Sequence, residues 1–241
     1  MGIFDKVEGI VKRQMVLFFI VDTSGSMEGT KIGAVNTAIR EVLPELQGIG
    51  GSDVDLKIAC LKFSSGCEWM HPSPIPVENF QWNTLAANGV TDMGAAFKDL
   101  ASKLSKDKFL NAPSASVAPA IFLMSDGEPT DDYKSGLVAL QQNNWYKYAI
   151  KVAVAIGDDA NIDVLREFTG NIEAVITVHT PEALRKMIRF VSVTSSQIGS
   201  KSQPMQNGQV ESKQDAMIDQ LKDLQQTEPD LSKISTSADD W

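Results

Sequence analysis

Three short segments of the sequence carry hydroxyl and carboxylate side chains at spacings that suit a metal ion. The first directly follows an apolar run and presents Asp22, Ser24 and Ser26 at every second position. The second contains Thr91, and the third, which follows another apolar run, contains Asp126. Hard divalent cations prefer oxygen ligands, and Mg²⁺ keeps several coordination positions for water or substrate. These five residues are therefore candidate ligands of Mg²⁺, or of Mn²⁺ or Ca²⁺.

The charge of these candidate ligands suits a site that also binds an anionic partner. Only Asp22 and Asp126 are carboxylates, and the three hydroxyls are neutral. If Asp126 acts through a water molecule, a bound dication keeps a positive charge. An Asp or Glu side chain of a partner protein can then take the open coordination position. We therefore expect metal binding and partner binding to be linked.

A blander interpretation exists for the first segment. Taken alone, residues 22–26 are equally typical of a helix-capping loop, because Asp and Ser frequently end strands and begin helices. The presence of Thr91 and Asp126 downstream favours the metal site over this alternative.

Four residues beside the candidate ligands are predicted to form the rim of a contact surface: Met27, Glu28, Asp92 and Glu128. Met27 is also typical of a residue that merely fills space. Asp92 adds a third carboxylate, which would lower the affinity for acidic ligands if it pointed inward. We favour the alternative, in which Asp92 is an acid in the first turn of a helix.

The elements that must position these residues alternate along the chain. Short runs rich in branched residues alternate with stretches in which apolar residues recur at helical spacing. The predicted strands are 16–21, 54–63, 120–124, 149–156 and 174–178, and helices are predicted over 32–46, 93–104 and 180–193. Three prolines in residues 67–76 predict an edge strand or loop that returns along 54–63. The sequence thus predicts an α/β fold with a mainly parallel central sheet, one antiparallel edge strand and helices on both faces. Ligands of such sheets bind at the carboxyl ends of the strands.

The composition divides the chain into three parts. Residues 1–14 are predicted to be an N-terminal extension, 15–195 the packed domain, and 196–241 a polar, acidic tail with a short amphipathic helix at about 210–225. The tail offers candidate kinase targets: Ser232, Ser235, Thr236 and Ser237. Its last residues, 239–241, are an acidic peptide with an aromatic anchor, which predicts self-association by docking into the metal site of a neighbouring copy.

Charge and hydropathy exclude several classes of function. A net charge of −9 at pH 7 disfavours nucleic-acid binding. The longest apolar stretch is too short for a membrane span, and the apolar stretch near the N-terminus lacks the cleavage site of a secretory signal. Two cysteines, Cys60 and Cys67, are too few for a disulfide-stapled secreted domain and are expected to stay reduced. We therefore expect a cytoplasmic protein.

The spacing of the five candidate ligands resembles a known family. Asp22-x-Ser24-x-Ser26, followed by "GVTDMGAAF" around Thr91 and "LMSDGEPTD" around Asp126, resembles the metal-ion-dependent adhesion site (MIDAS) of von Willebrand factor A domains. The similarity extends over about residues 15–195. The resemblance implies a Rossmann-like, three-layer fold, a Mg²⁺-type ion and protein binding rather than catalysis.

The overall layout resembles most the bacterial TerY-type branch of this family, which is linked to tellurite resistance and stress operons. That resemblance implies a scaffold or regulator that works with a type 2C-like protein phosphatase and a Ser/Thr protein kinase.

The alternative function is a metal-dependent phosphohydrolase, because an Asp after an apolar strand also begins haloacid-dehalogenase-like sites. Those sites need a second acid two residues later, where this chain has Ser24. Neither a dinucleotide fingerprint nor a P-loop is present. The two histidines, His71 and His179, lie outside the three segments, so a histidine-based catalytic site is disfavoured. No enzymatic activity is expected.

Overall fold

The computed structural model describes residues 12–49, 54–111, 116–158, 160–201, 205–206, 209–210 and 212–228. Within these ranges a seven-stranded sheet is flanked by helices. The strands of the sheet are β1 (Arg13–Asp22), β2 (Val54–Ser64), β3 (Gly66–Trp69), β4 (Ile75–Pro76), β5 (Ala120–Ser125), β6 (Ile150–Ile156) and β7 (Val175–Val178). The helices are α1 (Thr30–Leu46), α2 (Met93–Lys103), α3 (Tyr133–Gln142), α4 (Asn144–Tyr148), α5 (Ile162–Thr169), α6 (Pro181–Ser200) and α7 (Lys213–Thr227). A separate pair of two-residue strands, β8 (Met205–Gln206) and β9 (Gln209–Val210), precedes α7.

The topology of the sheet confirms the predicted fold class. The strand order is β3-β2-β1-β5-β6-β7, with β4 also pairing with β2. The neighbouring strands in the series β2-β1-β5-β6-β7 are parallel to one another. Strands β3 and β4 run antiparallel to β2 at one edge of the sheet. The chain winds from β1 to β2 and later returns to β5 on the other side of β1. The direction of winding therefore changes between β1 and β5, and the crevice outside the strand ends at such a point is where open α/β sheets bind ligands.

The central strand β1 is buried on both faces, which explains its unbroken apolar sequence. Phe19 and its alternate neighbours face one hydrophobic core with α1, α6 and α7. Phe18 and its alternate neighbours face the other core with α2, α3, α4 and α5. The two cores fix β1 and β5 rigidly, so the loops at the ends of these strands start from defined positions.

Helix α6 begins as predicted and ends later. The Thr180 hydroxyl accepts a hydrogen bond from Ala183 N at 3.1 Å, and Pro181 opens the first turn. The helix continues to Ser200, beyond the predicted end at about 193. Polar composition suggested an earlier end, but the small residues of the last turns lie on the buried face: a Cβ on Gly199 would collide with the Met15 side chain. No helix in the described ranges combines the length and the apolar composition of a membrane span.

The tail contributes a helix to the packed body. Helix α7 lies within the part of the chain in which a short amphipathic helix is predicted, and it buries Met217 and Leu221 against the core shared with α1 and α6. Most of residues 1–14 lie outside the described residues. So do the candidate kinase targets and the terminal peptide 239–241.

Candidate metal centre

The first loop of the site is held by hydrogen bonds to its own carboxylate and to β2. Strand β1 ends at Asp22, and Ser24 N donates to Asp22 Oδ1 at 2.8 Å. Thr23 is tied to the neighbouring strand, because its N and its hydroxyl both donate to Phe63 O, at 2.8 and 3.0 Å. A 3₁₀ turn follows at Gly25–Met27. The first of the three predicted segments is therefore a fixed turn above the strand end.

Hydrogen bonds join three of the predicted ligands to one another. The hydroxyl oxygens of Ser24 and Ser26 lie 3.0 Å apart. The Ser26 hydroxyl donates to Asp126 Oδ1 at 2.7 Å, across a separation of one hundred residues in sequence. Because β1 and β5 are neighbours in the sheet, the loops at their carboxyl ends bring these oxygens together.

Thr91 is positioned by the third loop. Thr91 N donates to the Thr130 hydroxyl at 3.0 Å, and Thr130 N donates back to Thr91 O at 2.9 Å. The Asp131 carboxylate accepts hydrogen bonds from Gly94 N and Ala95 N, both at 2.8 Å, and so caps the start of α2. Thr91 is 5% exposed. The second and third loops thus form one unit.

Two glycines let α2 and α3 approach closely enough for this unit to form. A Cβ on Gly94 would lie 2.5 Å from Asp132 O, and a Cβ on Gly136 would collide with Gly94 O. Any larger residue at either position would separate the helices that carry the second and third loops.

Gly127 lies beside a small space that oxygen atoms surround. A Cβ built on Gly127 would lie 3.4 Å from the Ser26 hydroxyl, 3.6 Å from the Thr91 hydroxyl and 4.0 Å from Asp22 Oδ2. One point is therefore within 4.0 Å of an oxygen from two of the three loops, and the glycine itself belongs to the third. Ser24 and Asp126 join this group through the hydrogen bonds of Ser26. The structure thus brings all five predicted residues together, and two carboxylates with three hydroxyls are a donor set that fits a hard divalent cation.

The Asp22 carboxylate is completely buried. Burial raises its pKa above the ordinary value, although hydrogen bonds from Ser125 and Ser24 act in the opposite direction. The Ser125 hydroxyl donates to Asp22 Oδ2 at 2.6 Å. An ionised carboxylate in this position therefore needs a positive charge nearby to offset its desolvation.

The other buried carboxylate, Asp126, already has a cationic neighbour. Lys31 Nζ lies 2.5 Å from Asp126 Oδ2, and the Asp126 side chain has no exposed surface. Both oxygens of Asp126 are therefore occupied by donors, one by Lys31 and the other by Ser26.

The chemistry of the site depends on its hydroxyls. In the part of the chain that the structure describes, no three His, Cys, Asp or Glu side chains form a group that could hold a metal ion. A cation at this place would therefore have to use Ser and Thr oxygens, as the sequence pattern predicts.

Asp92 adopts neither of the two roles considered for it. Its carboxylate accepts a hydrogen bond from Gly66 N at 2.7 Å and so fastens the Thr91 loop to the turn between β2 and β3. It makes no side-chain capping bond to α2, because the Asp131 carboxylate takes that position. Asp92 is therefore a link between loops.

The other predicted rim residues differ in exposure. Met27 is completely buried in the core, because the 3₁₀ turn directs it downward, so its assignment to the rim is wrong. Glu28 is exposed. Glu128 is also exposed and accepts a hydrogen bond from the Asn161 side-chain amide at 3.3 Å. The rim thus includes the loop before α5, which the sequence did not indicate.

The histidines and cysteines lie apart from the five candidate ligands. His71 Nε2 is 3.0 Å from Gln81 O, and His179 Nδ1 is 2.6 Å from Asp158 Oδ1. Cys60 is buried in the core, and Cys67 lies on β3 opposite Phe63.

Several residues that build the site were not predicted from the sequence: Lys31, Ser125, Gly127, Thr130 and Asp131. Of these, Lys31 carries a signal in the sequence itself. It is a cation directly before the predicted helix 32–46, close to a helix start, where acids are favoured. The others act through contacts between distant segments, which spacing along the chain does not reveal.

Comparison with known families agrees with the observed fold. A sequence model described as the von Willebrand factor type A domain matches residues 17–190. The human protein inter-alpha-trypsin inhibitor heavy chain H6 is 26% identical over 180 residues, which cover 67% of this chain and 13% of that protein.

Solved structures share the fold. A von Willebrand factor type A protein from Catenulispora acidiphila superposes with a TM-score of 0.56 at 21% identity, covering 77% of this chain and 43% of that chain. Proximal thread matrix protein 1 from the mussel byssus, with a zinc-occupied MIDAS motif, gives a TM-score of 0.56 at 13% identity, covering 79% of this chain and 47% of that one. This chain therefore spans less than half the length of each of these relatives.

Proposed function

This chain belongs to the von Willebrand factor type A family, and from that premise we propose that it is a protein-interaction module with a metal-dependent grip. Domains of this family generally serve protein interaction or adhesion, are usually not catalytic, and often bind a divalent metal at a MIDAS. In our proposal the site beside Gly127 is such a MIDAS and binds Mg²⁺, with Mn²⁺ or Ca²⁺ as substitutes. An Asp or Glu of a partner protein completes the coordination.

The observation that carries the proposal is the oxygen-lined space beside Gly127. The hydroxyls of Ser24, Ser26 and Thr91 and the carboxylates of Asp22 and Asp126 would hold the ion. When bound, the ion supplies a Lewis-acidic position for an external carboxylate. The zinc-occupied MIDAS motif of the mussel protein supports this ion site by fold similarity only.

The rest of the site favours binding over turnover. Asp22 accepts a hydrogen bond from Ser125, and Asp126 accepts from Ser26 and Lys31. Among the described residues, the polar contacts of the two histidines are with Gln81 and Asp158, so no histidine is paired with these carboxylates to activate a nucleophile. We therefore expect no hydrolysis of a generic phosphatase substrate in the presence of Mg²⁺.

We further propose a cytoplasmic role as a scaffold or regulator in a bacterial tellurite-resistance or stress signalling system. Its partners there would be a type 2C-like protein phosphatase and a Ser/Thr protein kinase. The resemblance of the sequence layout to TerY-type proteins supports this assignment. The net charge of −9 supports a protein partner over nucleic acid.

Substitution of Gly127 tests the ion site without removing a ligand. A Cβ at Gly127 would make ordinary van der Waals contacts, and the backbone there is not left-handed, so Gly127→Ala should fold normally. The added methyl would occupy the space between the oxygens, and we expect isothermal titration calorimetry to show Mg²⁺ binding weakened by about tenfold or more.

Gly33→Ala is the matched control, because a Cβ at this exposed position of α1 would meet open space. It should bind Mg²⁺ like the unmodified protein and gain a few tenths of a kcal/mol of stability or more, roughly as expected for Gly to Ala in a helix. Equal Mg²⁺ affinity of Gly127→Ala and Gly33→Ala would contradict the proposed ion site.

Affinity capture tests the partner. The purified protein should retain the phosphatase or the kinase encoded beside its gene in Mg²⁺ and release it in EDTA. Equal retention with and without the chelator would exclude a metal-dependent grip. Neighbouring genes that encode neither enzyme would exclude the stress-operon assignment while leaving the ion site standing.

A further inference from the structure

Lys31 occupies an electrostatically unfavourable place for a cation. It is the second residue of α1, a helix of 17 residues that has no acid in its first turn. The amino end of a helix carries a partial positive charge, so a lysine there is destabilised by the helix dipole. Its side chain is only 17% exposed, which adds the loss of hydration. A structural role of Lys31 within α1 does not account for this arrangement.

The contact that Lys31 makes lies at the proposed ion site. Its ammonium donates to Asp126 Oδ2 at 2.5 Å, while the Ser26 hydroxyl donates to Asp126 Oδ1 at 2.7 Å. The second carboxylate, Asp22, accepts hydrogen bonds from two neutral donors, Ser24 N and the Ser125 hydroxyl. Lys31 therefore neutralises one of the two carboxylates and leaves the other uncompensated.

We propose that Lys31 is a built-in counter-cation that lowers the affinity of the site for a divalent ion and makes the loaded site more attractive to a partner carboxylate. This inference rests on the proposed function. With Lys31 in place the two carboxylates carry a net charge of −1, so a dication brings the group to +1 and a partner carboxylate brings it to neutrality. Without Lys31 the dication alone would neutralise the site, and the partner would add an excess negative charge.

The consequence is a coupling between ion and partner. Charges within several ångströms of one another and shielded from water interact strongly enough to change an affinity by orders of magnitude. Because coupling between two ligands is reciprocal, a site that holds the ion weakly alone holds it more tightly once the partner's acid is bound. Lys31 thus strengthens the dependence of partner binding on the ion and of ion binding on the partner.

The experiment measures Mg²⁺ binding to the whole chain by isothermal titration calorimetry. We compare the unmodified protein with Lys31→Met, which keeps the aliphatic stem, and with Lys31→Arg, which keeps the charge. Lys106→Met, at an exposed position beyond the far end of α2, controls for the loss of one positive charge from the protein. Lys31→Met should bind Mg²⁺ about tenfold more tightly. Lys31→Arg and Lys106→Met should stay within about twofold of the unmodified protein.

The gain in melting temperature between EDTA and saturating Mg²⁺ is a second readout, which a purely structural role of Lys31 would not change. In EDTA, Lys31→Met should melt lower than the unmodified protein, because Asp126 loses its counter-charge. In saturating Mg²⁺ its melting temperature should rise by more than that of the unmodified protein. The double variant Lys31→Met with Asp22→Asn should lose the tighter binding, which would locate the ion at the proposed site.

The outcomes separate the inference from the proposed function. Mg²⁺ binding by the unmodified protein that is unchanged or weaker in Lys31→Met would overturn the role of Lys31 and leave the ion site intact. Absence of saturable Mg²⁺ binding in both proteins would overturn the ion site and the inference together. A drop in melting temperature in EDTA without a larger gain in Mg²⁺ would make Lys31 a structural residue.

Discussion

The two ends of the parallel sheet both bury charged side chains, and they neutralise them in different ways. At the carboxyl edge, Asp22 and Asp126 are surrounded by hydroxyls and a single ammonium. At the amino edge, Lys151 of β6 is 8% exposed and donates to Tyr146 O at 3.1 Å and Ala149 O at 2.9 Å. Its ammonium also lies 5.1 Å from the centre of the Tyr146 ring. At the carboxyl edge most donors to the buried carboxylates are side chains, with Ser24 N as a backbone donor to Asp22, whereas at the amino edge backbone carbonyls accept from Lys151.

The amino edge is also closed by the tail helix. β7 pairs with β6 only from Ala153 onward, so the backbone of Lys151 has no strand partner on that side. The side-chain amide of Gln214 replaces it: Lys151 N donates to Gln214 Oε1 at 2.6 Å, and Gln214 Nε2 donates to Lys151 O at 3.0 Å. The N–H and the C=O of Lys151 are thus both paired with the Gln214 side chain.

This difference supports the carboxyl edge, and not the amino edge, as the proposed ion site. A serine or threonine hydroxyl that donates to a carboxylate can rotate and present its lone pairs to a cation instead. Backbone carbonyls that accept from Lys151 cannot exchange roles in this way without moving a helix or a strand. The hydrogen bonds of a buried network can therefore change partners where the donors rotate, and they cannot where the groups belong to the backbone. Under the proposed function we therefore expect the hydrogen bonds of the carboxyl edge to rearrange when an ion binds, and those of the amino edge to stay unchanged.

The largest expected effect comes from Asp22→Asn. Loss of a carboxylate from the ion site should weaken Mg²⁺ binding by about a thousandfold, or about 4 kcal/mol. Stability in EDTA should move the other way. Burial raises the pKa of Asp22, so its ionised form is a cost to folding that is absent below the ordinary pKa of an aspartate and grows as the pH rises above it. Asp22→Asn should therefore be more stable than the unmodified protein at pH 7, with the advantage shrinking at low pH.

Calorimetry measures the Mg²⁺ affinity, and urea unfolding in EDTA measures the stability. Lys151→Met is the control from the other edge. Lys151→Met should leave Mg²⁺ affinity unchanged. A metal affinity that fell equally in both variants would indicate that global stability, and not the carboxyl edge, controls ion binding.

The next effect is a pH dependence of stability that belongs to the amino edge. Burial lowers the pKa of Lys151 from 10.5 to about 8. Between these values the unfolded chain binds a proton that the folded protein has lost, so the contribution of Lys151 to the free energy of unfolding rises with pH across this window. Lys151→Met does not carry this cost, so at neutral pH it should be more stable than the unmodified protein. Above the window between the two pKa values, this difference in stability should shrink by about 2–3 kcal/mol.

Urea unfolding at several pH values from 7 to 10.5 measures this change, and Lys147→Met, at an exposed position of α4, is the matched control. Its stability should follow that of the unmodified protein. Parallel pH profiles for Lys151→Met and the unmodified protein would mean that the Lys151 ammonium is solvated at little cost.

Periodicity was sufficient to predict the strands of the parallel sheet and the helices α1, α2 and α6, but it did not predict the shorter helices α3, α4 and α5. Apolar runs that are buried on both faces, such as β1, indicate parallel strands, and the prolines near Pro76 indicate the antiparallel edge. The family pattern then predicted that Asp22 and Asp126 lie at the same edge of the sheet. These are properties of local sequence and of a topology that parallel strands restrict to few solutions.

Sequence could not predict the contacts that decide how the site behaves. Lys31 and Asp126 are separated by 95 residues, and which ammonium reaches a buried carboxylate depends on the exact packing of α1 over the sheet. Met27 has the same limitation, because one turn of 3₁₀ geometry decides whether it lies on the rim or in the core. The spacing of residues in the sequence indicates which segments lie near one another. Side-chain packing decides which atoms come into contact.

The smallest effect tests whether the two edges are independent. Gln214→Ala removes two hydrogen bonds to the backbone of Lys151 and should lower the free energy of unfolding by about 1–2 kcal/mol. Gln220→Ala, on the exposed face of the same helix, should change it by less than about 0.5 kcal/mol. Hydrogen exchange should be faster at the Lys151 amide in Gln214→Ala only, and Mg²⁺ affinity should be the same in both variants. A Mg²⁺ affinity that changed in Gln214→Ala would mean that the tail helix is coupled to the proposed ion site through β6 and β5. The two edges would then not be independent, and the amino edge would take part in ion binding.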